Sequence, residues 1–141
     1  MDHWRYKNKL MKCLQDFPEG TIGFVYKVEF SNGMKYVGKK NLTWNKTLPP
    51  LKGLKRKRKV VKESDWKKYY GSIKAKELKP GVKDGSITVT DRKILYLCNT
   101  KSELTYYELK VQFASDCILR DNYYNANILG RIYSKNTEWK V

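Results

Sequence analysis

Residues Thr21 to Gly38 place two runs of strand-forming residues on either side of a Ser31-Asn32-Gly33 turn, TIGFVYKVEF before it and MKYVG after it. Asn-Gly supplies the backbone freedom that a tight hairpin turn demands, and Val, Ile, Phe and Tyr suit a pleated, half-buried surface. An antiparallel hairpin is predicted, with one face committed to a core. A third strand is predicted over Ser86 to Cys98 (SITVTDRKILYLC), a β-branched and apolar run. Directly after it, Thr100 and Glu103 have the spacing of a capping box, and Leu104, Tyr107, Val111 and Ile118 continue at helical period for about five turns.

The remaining segments are read more coarsely. From Met1 to Gln15, Trp4, Leu10, Met11 and Leu14 suggest a short amphipathic helix, ended by Pro18 and Gly20. KKNLTWNKTLPPLKGLKRKRKVVK, after Gly38, holds two prolines and a dense basic run. It is predicted to be a long loop that turns helical at most near its end. ESDWKKYYGSIKAKEL offers Ser64 or Asp65 as N-cap, with Trp66, Tyr69, Tyr70 and Ile73 at helical spacing and Pro80 and Gly81 as the stop. This predicts one helix, or two short ones around Gly71. Asp121 to Asn125 reads as a turn.

Together these make a single α+β domain over residues 1–141: a helical extension over 1–19, then a core over 20–131 that carries the basic loop 39–62. The sheet is expected to be small, mainly antiparallel and three-stranded, flanked by helices.

Charge narrows the partner. Thirty Lys and Arg against fourteen Asp and Glu leave +16, a field that concentrates polyanions and points to nucleic acid. Cys13, Cys98 and Cys117 are odd in number and far apart, so neither a disulfide framework nor a zinc knuckle is expected. With no long apolar run and no signal-like start, a soluble cytoplasmic protein with no membrane partner is expected.

The same sequence excludes several chemistries. Its one histidine, His3, lies near the N-terminus, which argues against histidine-based acid–base or nucleophilic triads. Phosphate-binding glycine loops of the G-x-x-x-x-G-K-[ST] and G-x-G-x-x-G kinds are absent. Phosphodiester hydrolysis remains open through an activated water, cations on the phosphoryl oxygens and a carboxylate-held metal.

Tyr26 closes Phe24-Val25-Tyr26, and ten positions later Tyr36 opens Tyr36-Val37-Gly38. With KESDWKKYYGS, ELTYYELK and DNYYNANILGR, this ordered set of blocks resembles the GIY-YIG nuclease family, in a phage-borne branch, over roughly residues 20–131. Phe24 stands where the family usually has Gly.

The resemblance implies a DNA endonuclease, of homing or another phage type, with a three-stranded sheet and one Mg²⁺ (or Mn²⁺) per site; if phage-encoded, it would act in a bacterial cytoplasm. It implies Tyr26 as general base or water-orienting phenol, with Tyr36 as its partner. For Tyr26 to act as base near neutrality its pKa must be depressed, and Lys39 is the nearby cation expected to do so. Arg58, with Arg56 as second choice, is the expected catalytic guanidinium.

Glu108 is the expected metal carboxylate, and a helical wheel places it beside Leu104 and Val111. Tyr70, Ser72 and Asn125 are expected in support. Lys40, Lys52, Lys55, Arg56, Lys57 and Lys59 are expected to hold DNA phosphates. A double-strand break would then require a homodimer or two successive nicks. The alternative is a non-catalytic DNA- or RNA-binding protein on a nuclease-like fold.

Overall fold

The computed structural model describes residues 2–136. Its centre is the predicted hairpin, β3 (Gly23–Phe30) and β4 (Lys35–Asn41), in a register that sets Tyr26 opposite Gly38 and Val28 opposite Tyr36. The later strand, β7 (Val89–Cys98), pairs antiparallel with the other edge of β3.

The sheet has five strands rather than three, in the order β2-β1-β7-β3-β4. The two extra strands come from the segment expected to be helical: β1 (Trp4–Tyr6) runs parallel to β7, and β2 (Lys9–Met11) pairs back onto β1. Lys7 turns the chain with a left-handed φ of 53°. Trp4 and Met11, seven residues apart as on two helical turns, are also direct cross-strand partners in this hairpin, and both are buried. The apolar spacing fits either structure, and pairing to β7 decides between them.

Alternation along β3 sends Phe24, Tyr26, Val28 and Phe30 into an aromatic core with Trp4, Phe17 and Trp66. Phe24 packs there at 4.9 Å from the Trp4 ring, which accounts for the aromatic residue at that place in the motif. Val25 and Cys98 face the opposite side and meet Leu104 on α2 (Lys101–Ser115). Thr100 caps α2 by accepting from the Glu103 N–H at 3.1 Å. The helix has four turns rather than five, because Asp116 takes a left-handed φ of 50°.

The segment after Glu63 does not form the predicted helix. Its carbonyls are taken by tertiary donors: Trp66 O accepts from Trp4 Nε1 at 2.7 Å, and Lys67 O and Tyr69 O accept from Arg92 Nη1 at 2.8 and 2.9 Å. Those carbonyls would otherwise accept from residues four positions on. Regular helix begins later, as α1 (Leu78–Asp84), so Pro80 and Gly81 lie inside it instead of ending it. Pro80 is tolerated because N–H groups in a first turn have no helical partner.

The basic segment is not a loop. It is a separate two-stranded ribbon, β5 (Thr43–Leu48) against β6 (Arg58–Glu63), with every residue of β6 exposed. Burial alternation, the usual sign of a strand, is missing because both faces are wet. The chain ends in a small pair, β8 (Asn127–Ile128) and β9 (Ile132–Tyr133). No helix among the described residues is long and apolar enough to cross a membrane.

Arg92 is 4% exposed and lies 4.7 Å from the Trp4 ring centroid, and its Nε donates to Asp2 O at 3.0 Å. Burial lowers its pKa to about 10, so it stays charged at neutral pH. Arg92→Lys keeps the charge but cannot reproduce the planar fork, leaving carbonyls without donors. A loss of about 2–3 kcal/mol in urea unfolding is expected; an unchanged midpoint would show that the fork contributes nothing.

Candidate functional site at the edge of β4

β4 is an edge strand, and its outward backbone groups are satisfied in series by groups from other parts of the chain. Lys35 N–H donates to Asn122 O at 2.8 Å, and Lys35 O accepts from Tyr124 N–H at 2.7 Å. At Val37 a side chain replaces the backbone: the N–H donates to Asn125 Oδ1 at 3.1 Å and the carbonyl accepts from Asn125 Nδ2 at 2.8 Å. The Lys39 N–H serves the Glu108 carboxylate. Ser64 Oγ donates to Asn41 O at 2.6 Å. The Asp121–Asn125 turn therefore lies along β4 as a partial further strand.

A cleft of about 320 Å³ opens here, lined by Tyr36, Lys39, Ser72, Glu108, Gln112 and Asn125, and also by Lys74 and Tyr124. Of the residues expected at a site, Tyr36, Lys39, Ser72, Glu108 and Asn125 share this cleft. Tyr26 stands behind it, 1% exposed, with ring centroids 6.2 Å from Tyr36 and 6.0 Å from Tyr69.

The expected depression of the Tyr26 pKa is reversed. Burial, reinforced by the neighbouring Tyr36, Tyr69 and Glu108, raises it well above the usual phenol value. Burial likewise raises Tyr36 well above that value, although the Ser72 backbone N–H pulls the other way. Both phenols are therefore neutral at physiological pH. The Lys39 ammonium donates to Thr105 Oγ1 at 3.1 Å and is not among the groups that set the Tyr26 pKa.

Glu108, on the β4-facing side of α2, is half-buried. Burial raises its pKa, against the lowering effect of the Lys39 ammonium and backbone N–H. One turn on, Gln112 Oε1 is buried with no hydrogen-bond partner among the described residues. Sequence reasoning missed Gln112 and Lys74; the i, i+4 spacing of Gln112 from Glu108 was the available signal. The described residues hold no cluster of three or more His, Cys, Asp or Glu. A cation in the cleft would thus have one carboxylate, with water and substrate oxygens completing its shell, as Mg²⁺ commonly accepts.

Other expected site residues lie elsewhere. Tyr70 packs on Phe30 with ring centroids 6.2 Å apart, and its neighbour Tyr69 approaches the cleft instead, bonded to Ser72 Oγ at 2.5 Å. Lys40 is a clamp at the ribbon's root, with Nζ 2.5 Å from Asp65, 4.0 Å from the Tyr69 ring and 5.1 Å from the Trp44 ring. Arg58 sits on β6, five residues from the ribbon's root at Glu63, with Nε donating to Pro49 O at 3.3 Å. That places it roughly 17 Å along the strand, at about 3.3 Å per residue. Lys52, Lys55, Arg56, Lys57 and Lys59 are also exposed on the ribbon and its connecting loop.

The cleft thus sets Tyr36 of the hairpin beside the helix-borne Glu108, with Tyr26 packed behind Tyr36. The family model described as "Putative endonuclease segE, GIY-YIG domain" matches residues 4–128. The chain belongs to that GIY-YIG family, which agrees with the phage-borne branch expected from the motifs. Comparison with curated proteins and with solved structures gave no match.

The glycines of YVG and YYGS both make room for phenol rings. A Cβ at Gly38 would lie 2.8 Å from the Tyr26 hydroxyl and 3.0 Å from Tyr36 Cε1; one at Gly71 would lie 2.8 Å from Tyr36 Cδ1. Gly71 also has φ of 124°, whereas Gly85, at φ 84°, faces open space. Gly85→Ala should cost roughly 1 kcal/mol from backbone strain alone, and Gly71→Ala roughly 2–4 kcal/mol because overpacking is added. Equal losses in thermal melts would mean that Tyr36 is not held against Gly71.

Proposed function

We propose that the protein is a metal-dependent endonuclease that hydrolyses DNA phosphodiester bonds in the cleft beside β4. The observation that carries this reading is the convergence of Tyr36, Lys39, Ser72 and Glu108 on one cleft in a chain of net charge +16. Glu108 would hold a single Mg²⁺ or Mn²⁺, and its half-buried, incompletely compensated carboxylate supports that role. When bound, such an ion supplies positive charge to the phosphoryl oxygens and acidifies an attacking water.

The chain's own groups do the rest. Lys39 and Lys74 bring positive charge to the cleft and offset that of the scissile phosphate. The Tyr36 hydroxyl, neutral and facing the cleft, orients the attacking water by hydrogen bonding. Tyr26 is a positioning residue that packs behind Tyr36 and Tyr69. Arg58, out on the ribbon, has a phosphate- or base-contacting role away from the reacting phosphorus. Asn125 fixes the strand that carries Tyr36 and Lys39.

Single-turnover cleavage with saturating enzyme separates the two tyrosines. Tyr36→Phe is expected to lose about 10²–10⁴-fold in the chemical step with DNA binding retained. Tyr26→Phe should stay within roughly tenfold of wild type, since its ring and packing persist. The reverse order would return the water-orienting role to Tyr26. Glu108→Ala should bind DNA and fail to nick supercoiled plasmid with Mg²⁺. Plasmid left intact by the wild-type protein with either Mg²⁺ or Mn²⁺ would instead favour a non-catalytic nucleic-acid-binding protein.

The Glu108 pKa gives a test independent of turnover. A carboxyl whose pKa is raised by folding favours the fold below its unfolded value, and that stability is lost as pH rises through the folded value. Without metal, Glu108→Gln should therefore melt higher than wild type at pH 7–8, and the gap should close below the ordinary carboxylate value of about 4.3. Mg²⁺ should raise the wild-type melting temperature at pH 7–8 and leave the variant's unmoved. A Gln variant that melts with wild type at every pH would mean that the carboxylate carries no burial penalty.

A further inference from the structure

Thr43 to Glu63 contain eight Lys and Arg against one acid, and fold into a ribbon that joins neither of the other sheets. An isolated two-stranded ribbon is marginal in water, and this one buries little on either face. Residues paired directly across antiparallel strands share a face. The pairs Trp44–Lys62, Lys46–Val60 and Leu48–Arg58 therefore form one face on which cations and apolar groups interleave. The opposite face pairs Thr43 with Glu63, Asn45 with Val61 and Thr47 with Lys59, and so carries one cation and one acid.

Side-chain contacts connect this face to the cleft wall. Trp44 on that face contacts Lys40, Lys40 lies on the Tyr69 ring, and Tyr69 bonds Ser72 in the cleft wall. Arg58 keeps its terminal nitrogens uncommitted to any partner among the described residues, because only Nε is tied to Pro49 O.

From this charge, its segregation to one face and the two-stranded form of the ribbon we infer that the β5–β6 ribbon is a duplex-DNA reader that lies in the major groove with its Trp44/Lys46/Arg58/Lys62 face inward. The B-form major groove, about 12 Å wide, admits a two-stranded ribbon, whereas the A-form groove of RNA is too narrow and deep to be read this way. Lys and Arg meet phosphates and guanine edges, and Trp44 and Val60 meet thymine methyls. The inference rests on the proposed DNA substrate, and its test is a binding experiment in EDTA, so that cleavage does not enter.

The probes are a 20-base-pair DNA duplex, the RNA duplex of the same sequence and the DNA single strand, compared with one another at matched salt at each point of a salt series. Wild-type protein is expected to bind duplex DNA roughly tenfold or more tighter than duplex RNA or the single strand. The Lys46→Ala/Arg58→Ala/Lys62→Ala triple should erase that preference and reduce the slope of log affinity against log salt by about 2–3 units. Asn45→Ala/Thr47→Ala, on the other face, should keep the preference.

RNA duplex or single strand bound as tightly as duplex DNA by wild type would overturn the inference. So would a triple variant that loses affinity for every probe in the same proportion, since the ribbon would then be a phosphate strip that reads no groove. Arg58→Ala alone is the fallback if the triple melts below wild type, and an unchanged DNA-to-RNA ratio in it would likewise overturn the inference. Groove-type binding by a protein that leaves plasmid intact would sink the nuclease reading and leave the ribbon's role standing.

Discussion

An edge strand carries a row of backbone donors and acceptors that must be satisfied, and in this protein the outer row of β4 is where the remaining parts of the domain meet. Backbone from the Asp121–Asn125 turn covers Lys35, the Asn125 amide covers Val37, Glu108 covers the Lys39 N–H, and Ser64 covers Asn41. Three of these four partners are side chains, so the edge is closed to a further strand while the cleft remains beside it. A hydrogen-bonding requirement of the backbone thereby fixes the positions of groups that the proposed chemistry uses.

The opposite face of the sheet is arranged around a charge. Arg92 stands on β7 among aromatic rings and donates to carbonyls from Asp2, Lys67 and Tyr69. It joins the N-terminal segment and the 64–72 segment to the central strands, and so sets where Tyr69 and Ser72 meet the cleft. Nothing in the sequence around Arg92 distinguishes it from the other arginines of a basic chain. Its role follows from the fold.

That contrast explains what was legible. The β3–β4 hairpin, β7 and the capped α2 were readable because their signals are local: a turn dipeptide, β-branched runs, and a Thr-x-x-Glu start to an amphipathic stripe. Tyr36, Lys39, Ser72, Glu108 and Asn125 converge because motif order and local structure together place them. The N-terminal strands, the irregular 64–77 segment and the ribbon were misread. In each, the deciding partner is distant (β7 for Trp4 to Tyr6, Trp4 and Arg92 for the carbonyls of 66–69) or is solvent, as for β5 and β6. The expected depression of the Tyr26 pKa was misjudged for a related reason: its surroundings are aromatic rings supplied by separate segments, and their burial of the phenol raises its pKa instead.

The ribbon's exposure has a consequence for how such a domain changes over time. Because β6 buries none of its side chains, substitutions along 58–62 do not disturb the aromatic core or the β4 edge, whereas Glu63 at the root accepts from the indole N–H of the buried Trp66 at 3.0 Å. Stability and the cleft are encoded in one set of residues and the outward surface in another, joined mainly through Lys40, Ser64 and Asp65 at the root. Lineages of this chain can therefore change the ribbon's outward surface while inheriting the cleft intact, as a tool keeps its blade while its handle is reshaped.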